Sequence, residues 1–372
     1  MAIVDQTNSI TYQKLDRLTD NLAGYLHKQG VTLNQPVGVL LEKSQDFIIA
    51  SLAIMKAGGV FMPLELKYPD ALLAKMVADA KPSLIITKSQ YSSRINSELS
   101  IQILPIDREN NWNSPPTLNL ELPSIAPENI ANIIYTSGST GEPKGIILSH
   151  QAIIAGELRR EQVSLSKSGY PIAYVLFQWE IYRPWIKGST TYIIPDEIIY
   201  DHQLFLDFIY QNKIKEITIS PSLIQSIFNT VVVDCIISKL SGLEVIWVTG
   251  EALTKQLKSK LIDRLPSTRL LNFYGINECF TIAIDNLREI EDLPSGFCAV
   301  GIPFEDDEII LLDQNGQQVT PGNEGEMYIR SPCMFREYLN KPKLTADSFV
   351  DINGNRFFRT GDLAAILPNG KL

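Results

Sequence analysis

The sequence predicts an α/β protein: parallel sheets covered by helices, followed by a smaller β-rich segment. Three observations carry this. Helical apolar spacing alternates with short apolar runs from the N-terminus to about residue 265. Turn-rich stretches then break the chain after about Arg288. Between the first two blocks of alternation lies a loop of hydroxyls and glycines, Y-T-S-G-S-T-G-E-P-K-G at Tyr135–Gly145.

In chain order, Thr11 is placed to cap a helix carrying Leu15, Leu18, Leu22 and Leu26, and Gly30 ends it. Val37–Leu41 reads as a buried strand. Ser44 caps a second helix that stops at Gly58-Gly59. Val60–Met62 is a short strand ended by Pro63, Asp70 caps a third helix, and Leu84–Thr87 is the next strand. Residues 89–127 are less regular and read as crossover and surface structure. Ile133 and Ile134 lead into the hydroxyl-rich loop, and Ile146, Ile147 and Leu148 lead out of it, each as a strand. Beyond it come strands at Tyr192–Ile194, Glu216–Ser220 and Val245–Val248. Helices follow at His202–Gln211, at Ser222–Phe228 and from Thr254. After Arg288, Glu308–Leu312 and Glu326–Arg330 are strands separated by D-Q-N-G, P-G-N-E-G and D-I-N-G-N, an antiparallel composition. The subdomains therefore divide near 1–130, 131–287 and 288–372, with the hydroxyl-rich loop in the second.

The loop is where chemistry is expected. Small residues let backbone N–H groups and hydroxyls close on a phosphate without Cβ clashes, and Lys144 adds a compact positive charge. It is not a Walker A motif, because G-x-x-x-x-G-K-[ST] is not met. Composition excludes several other classes. At 372 residues, 45% hydrophobic and 20% charged, the chain has the make-up of a soluble globular protein with a large core. A net charge of −9 with no Lys/Arg cluster argues against nucleic acid. The three histidines (His27, His150, His202) have no metal-ligand spacing. The four cysteines (Cys235, Cys279, Cys298, Cys333) form no C-x-x-C pair, which fits reduced thiols in a cytoplasm. No apolar run reaches membrane-spanning length, and the N-terminus has no signal-peptide pattern.

Several motifs stand in one order: I-T-Y-Q-K-L near Ile10, M-K-A-G-G-V-F-M-P-L from Met55, Y-T-S-G-S-T-G-E-P-K-G, N-F-Y-G-I-N-E from Asn272, G-E-M-Y-I-R from Gly325 and F-R-T-G-D-L-A from Phe358. Together they resemble the adenylate-forming superfamily, most closely the adenylation domain of nonribosomal peptide synthetases. The resemblance implies a large N-terminal core with two α/β sheet subdomains in a layered αβαβα arrangement and a small distorted β-barrel. It implies a reaction in which a carboxylate attacks the α-phosphate of ATP, giving an acyl-adenylate and pyrophosphate. The acyl group then passes to a phosphopantetheine thiol on a carrier protein.

The same resemblance assigns residues. Thr136, Ser137, Gly138, Ser139 and Thr140 with Lys144 match the pyrophosphate cradle. Glu278 matches the Mg²⁺-binding glutamate, with Thr136 as a second metal contact. Tyr274 matches the aromatic that stacks on adenine, within Asn272, Phe273, Tyr274 and Gly275. Asp362 matches the carboxylate on the ribose hydroxyls, and Gly250, Glu251 and Ala252 match the turn along the nucleotide. Lys144, Thr136 and Glu278 are the residues expected to act on the reacting phosphates.

The acyl pocket departs from the amino-acid-activating pattern. Those members carry an Asp four residues before the Trp of a W-E pair, and here that position, counted from Trp179, is Val175. No Asp or Glu lies between Gln162 and Gln178, although this segment is shorter than usual for the family. A buried ammonium without a carboxylate costs several kcal/mol, so an α-amino acid is not expected. The expected lining is Tyr174, Val175, Leu176, Trp179, Thr218, Trp247, Thr249, Phe273, Thr281 and Ile282, apolar with three threonines and no charge. That points to a small branched aliphatic α-keto acid, as in depsipeptide synthetases whose modules add a ketoreductase beside condensation and carrier domains. An α-hydroxy or simple carboxylic acid remains open. So do a standalone acyl-CoA-ligase-like enzyme and a degenerate adenylation fold with a docking role. The chain stops at Leu372, before the family's hinge motif, so the mobile C-terminal subdomain is expected to be absent and the core impaired alone.

Overall fold

The structure is a computed structural model describing residues 1–6, 8–95, 101–108, 122–137, 142–176 and 178–372. It divides into two compact units that the chain crosses repeatedly. One comprises Ile10–Ile154 with Phe335–Ala346, and the other comprises Met1–Ser9, Ala155–Met334 and Asp347–Leu372.

The first unit is built on a seven-stranded sheet. Its strand order is Glu337–Tyr338, Pro143–Ser149, Ile130–Ser137, Val60–Leu64, Pro36–Leu40, Leu84–Thr87 and Gln102–Pro105. The five strands from Ile130–Ser137 to Gln102–Pro105 run parallel, and Pro143–Ser149 and the edge strand Glu337–Tyr338 add antiparallel pairs. Helix Tyr12–Lys28 is capped by the Thr11 hydroxyl, as its sequence predicts, and helix Gln45–Lys56 by Ser44. Gly30 and Gly58 end these helices at φ +91° and +80°, where a side chain would be strained. Asp70 does not cap helix Asp70–Ala80: Pro69 takes the cap position, and the Asp70 carboxylate pairs instead with Arg94 at 2.7 Å. Pro63 does not end its strand either. It stays in register with Val39, while pairing on the other side is confined to Phe61↔Asn132, so its missing N–H is tolerated.

The strands on either side of the hydroxyl-rich loop therefore join the first sheet rather than a second subdomain starting near residue 131. The cause lies in Ile133, Tyr135 and Ile147. They are buried in one core with Val60, Met62 and helix residues Leu73, Met76 and Val77, so the hairpin completes this sheet.

The second unit holds a nine-stranded sheet. Its order is Ile302–Pro303, Ala283–Asn286, Arg269–Tyr274, Val245–Val248, Glu216–Ile219, Pro171–Tyr174, Thr190–Ile193, Ile3–Val4 and Ser9–Ile10. Strand parity sets its two faces. Ile217, Ile219, Ile246, Val248 and Leu270 face a core with Phe205, Leu206, Ile224, Ile236 and Leu261 from four helices. Those helices are His202–Gln211, Pro221–Thr230, Val233–Leu240 and Lys255–Arg264. Glu216, Thr218, Trp247, Leu271 and Phe273 take the other face. The expected β-rich segment is a four-stranded antiparallel sheet ordered Glu308–Leu312, Gly325–Arg330, Asn355–Ala364 and Phe349–Ile352. Among the described residues, no helix is long and apolar enough to cross a membrane.

Candidate active site

In the first unit, strands Ile130–Ser137 and Pro143–Ser149 form a hairpin in which Thr136 is the cross-strand partner of Lys144. Tyr135 anchors the hairpin by donating to Asp79 Oδ2 at 2.8 Å, from a position buried against helix Asp70–Ala80. Gly145 packs where an added Cβ would stand 3.1 Å from both Leu339 and Tyr135. The Lys144 ammonium lies 5.0 Å from the centre of the Tyr338 ring. Gly138, Ser139 and Thr140 fall outside the described residues, as does the Ser137 side chain.

In the second unit, Tyr274 ends strand Arg269–Tyr274, and its phenol donates to the Asp362 carboxylate. Burial, reinforced by Asp362, pushes the Tyr274 phenol well above its ordinary range, so it stays a donor. Asp362 itself is exposed, follows Gly361 at φ +80°, and has its N–H tied to the Thr360 hydroxyl at 3.0 Å. A cavity of about 540 Å³ opens beside this pair, lined also by Ala299, Val300, Leu363 and Leu367. Asn272 is buried and donates to Val300 O at 3.3 Å, next to the same wall. Gly275 is required by a close approach: an added Cβ would sit 1.7 Å from Phe280 O. Gly250 turns at φ +88°, and Glu251 accepts from Ser222 N and Oγ at 3.1 and 2.6 Å. Ala252 is exposed beside them. Glu278 is half-buried in the turn after Tyr274. Among the described residues no group of three His, Cys, Asp or Glu gathers for a metal. A single hard carboxylate such as Glu278 nevertheless fits Mg²⁺, which arrives largely ligated by phosphates and water.

The expected acyl-pocket residues divide. Thr218, Trp247 and Phe273 share one sheet face, with the Trp247 and Phe273 rings edge to face at 6.1 Å. Thr249, Thr281 and Ile282 are buried at the ends of neighbouring strands. Val175 does not join them. It is fully buried in the opposite core with Ala173, and Leu176 packs on that core too. Ile172 registers with Glu216, so strand parity puts Tyr174 on the Thr218 face instead. The Trp179 side chain is outside the described residues.

The face is also far from uncharged. Helix His150–Val163 buries Glu157, Arg160 and Glu161. The Arg160 guanidinium lies 5.1 Å from the Trp247 ring and 4.9 Å from Phe273, and donates to Thr218 Oγ1 at 3.3 Å. Arg183 pairs with Glu161 at 2.8 Å and also with Glu216. Trp247 Nε1 donates to Glu216 at 2.7 Å, and Glu180 accepts from Leu176 N at 3.0 Å. Burial pushes the Glu157 carboxyl up to about 7, against the pull of Arg160 and Arg183. Burial, with Arg183 nearby, brings Arg160 down to about 10.

The family description "AMP-binding enzyme" matches residues 1–339. The chain belongs to the AMP-binding enzyme family. Among curated relatives, glycine betaine reductase ATRR of Emericella nidulans is 34% identical over 381 residues, all of this chain and 30% of that protein. Tyrocidine synthase 1 of Brevibacillus parabrevis is 30% identical over 390 residues, all of this chain and 34% of that protein. The chain thus spans about a third of the length of these relatives. Among solved structures, VinN in complex with L-aspartate superposes with a TM-score of 0.86 at 22% identity, covering 100% of this chain and 93% of VinN. The α/β core expected from the motifs is therefore the observed fold, and by its family match the chain is one of the AMP-binding enzymes.

What the sequence reading of this AMP-binding enzyme missed is the charge on helix His150–Val163. One signal was available. G-E-L-R-R-E-Q shows almost no segregation of polar from apolar residues around the helix, unlike an ordinary surface helix.

Proposed function

We propose that this chain activates a small carboxylic acid with ATP. A carboxylate oxygen bonds to the α-phosphorus, the bond from that phosphorus to pyrophosphate breaks, and an acyl-adenylate remains. The acyl group then moves to the phosphopantetheine thiol of a carrier protein, within a multidomain synthetase of the nonribosomal type. The observation that carries this reading is the Tyr274–Asp362 hydrogen bond beside the 540 Å³ cavity. It supplies a ring for a base and a carboxylate for ribose hydroxyls. Lys144 with Thr136–Thr140 would neutralise phosphate charge, and Glu278 would hold Mg²⁺. Four free cysteines suit a reducing cytoplasm.

Two acid classes compete. An α-keto acid, with a ketoreductase in the parent depsipeptide synthetase, is supported by the lack of any carboxylate between Gln162 and Gln178. It loses support from Val175, which lies in the opposite core, and from the buried ions on the Thr218 face. A positively charged acid is favoured by the buried glutamates of that face. It agrees with the activity for which the Emericella nidulans relative, glycine betaine reductase, is named.

The test is ATP–pyrophosphate exchange with matched acids. The panel holds valine and leucine, their 2-oxo and 2-hydroxy counterparts, glycine betaine, and its neutral isostere 3,3-dimethylbutyrate. Exchange above background with at least one acid is expected. Asp362→Ala should raise the KM for ATP about tenfold or more, the loss of charged hydrogen bonds to ribose. No exchange with any acid, together with no ATP binding by calorimetry, overturns the reading in favour of a structural role. Efficient transfer to coenzyme A but not to a carrier protein overturns the synthetase setting.

A further inference from the structure

The ion pairs on the Thr218 face of the nine-stranded sheet leave one carboxylate unserved. Glu157 is 0% exposed, and neither carboxylate oxygen accepts a hydrogen bond. Arg160 Nη1 stands 3.5 Å away, longer than a charge-assisted hydrogen bond. Arg160 is directed elsewhere: it covers Trp247 and Phe273 and donates to Thr218. Arg183, the other buried cation there, is engaged by Glu161 and Glu216. Among the described residues, four buried glutamates (Glu157, Glu161, Glu180, Glu216) thus share two buried arginines, and Lys187 pairs with Glu161 from the edge at 3.2 Å. A buried carboxylate without donors is met either by a proton or by an arriving cation.

We propose that Glu157 is a specificity-determining residue of the acyl pocket and recognises a positively charged nitrogen on the substrate acid. The proposal rests on the acid-activation reading above. Three observations converge on it. Glu157 supplies a buried negative charge with both oxygens open to a donor. The Trp247 and Phe273 rings beside it already hold one cation, the Arg160 guanidinium, so this face is built to accommodate positive charge. The surrounding face is short of positive charge, so an incoming cation improves the balance where a neutral keto acid leaves it unchanged. The carboxylate for adenylation belongs to the other end of the same small acid, and the transfer chemistry is unaltered. The charge reader therefore comes from the helix preceding the W-E segment rather than from position 175.

The experiment compares the wild-type chain with Glu157→Gln on matched cationic and neutral acids from the panel, at about pH 8. The wild type should prefer the cationic member of each pair in kcat/KM, and Glu157→Gln should cut that preference about a hundredfold, because a site built for a polar partner rejects the analogue lacking it. Calorimetric binding of the same pairs to wild-type protein reads the preference without turnover and without a variant. As pH rises through the range in which Glu157 ionises, wild-type affinity for the cationic acid should rise while that for its isostere stays level. A wild-type preference for the neutral or 2-oxo acids, with exchange intact, overturns this proposal and leaves acid activation standing. So does a preference that Glu157→Gln does not move. Failure of exchange and binding with every acid overturns both.

Discussion

At the scale of single residues, Glu157 ties specificity to stability. Its carboxyl is raised from 4.5 to about 7, first by burial, with Glu161 and Glu180 adding to it and Arg160 and Arg183 opposing. Arg160 and Glu161 face it from its own helix, Arg183 from helix Arg183–Ile186, and Glu180 from the Gln178–Ile181 turn. Between those pH values the folded chain keeps a proton that the unfolded chain has released. The native state therefore binds more protons, and stability falls as pH rises through that window. The loss is on the order of 3 kcal/mol, from the size of the shift. Thermal unfolding from about pH 4.5 to pH 8 should show a midpoint that declines across this range. Glu157→Gln should flatten the decline and unfold several degrees higher at pH 8. A variant whose decline matches the wild type would mean that another group titrates there. A substrate cation bound beside Glu157 would raise the wild-type midpoint at pH 8, which links the stability measurement to the site.

At the scale of elements, helix His150–Val163 is held to the sheet by ions as well as by apolar packing. Arg183 bridges Glu161 on that helix and Glu216 on a central strand, with its guanidinium 5.6 Å from the Trp247 ring. Glu216 also accepts from Trp247 Nε1 and from Ser164 Oγ at 2.7 and 3.1 Å. Replacing the whole network with apolar side chains need not cost stability, but removing one member leaves charges buried without partners. Arg183→Met should destabilise the chain by about 3–5 kcal/mol in urea unfolding, whereas breaking an exposed pair such as Lys75–Glu142 should leave the midpoint almost unchanged. A loss under about 1 kcal/mol for Arg183→Met would show that water or a neighbouring cation replaces it. The same elements show why the sequence was legible in part. Thr11, Ser44 and Thr254 cap helices because a short hydroxyl before an amphipathic run has one strong use, and that use is local. Asp70 was misread because Arg94, 24 residues away, takes its carboxylate. Val175 was misread because its face depends on strand register with Glu216, which no local pattern reports. Glu157 and Arg160 were passed over because charged residues on a helix usually face water, and their burial is decided by the sheet above them.

At the scale of the whole molecule, the motifs named candidate nucleotide residues because each is short and its order along the chain is fixed. They did not show which segments share a unit. Residues Phe335–Ala346 lie nearly two hundred positions after Gly145, yet they complete the sheet that contains it. Strand Glu337–Tyr338 pairs with Ile146 and Ile147, Arg336 N donates to Ile147 O at 2.9 Å, and Leu339 N donates to Gly145 O at 2.7 Å. Asn340 Nδ2 donates to Asp79 O at 2.7 Å, on the helix that also anchors Tyr135. Without this segment, Pro143–Ser149 becomes an open edge carrying Ile146, Ile147 and Leu148, a template for pairing with another chain. A fragment of residues 10–154 should therefore aggregate or unfold well below the full chain. The same fragment with residues 335–346 joined through a flexible linker should recover a soluble monomer with a cooperative transition, read by size-exclusion chromatography and circular dichroism. Changing Glu337 to Pro in the joined fragment should undo much of the recovery, because proline lacks the N–H a paired strand offers. Equal solubility and midpoints for the fragment with and without the added segment would show that the hairpin's own pairing and the Tyr135–Asp79 bond suffice to hold the edge.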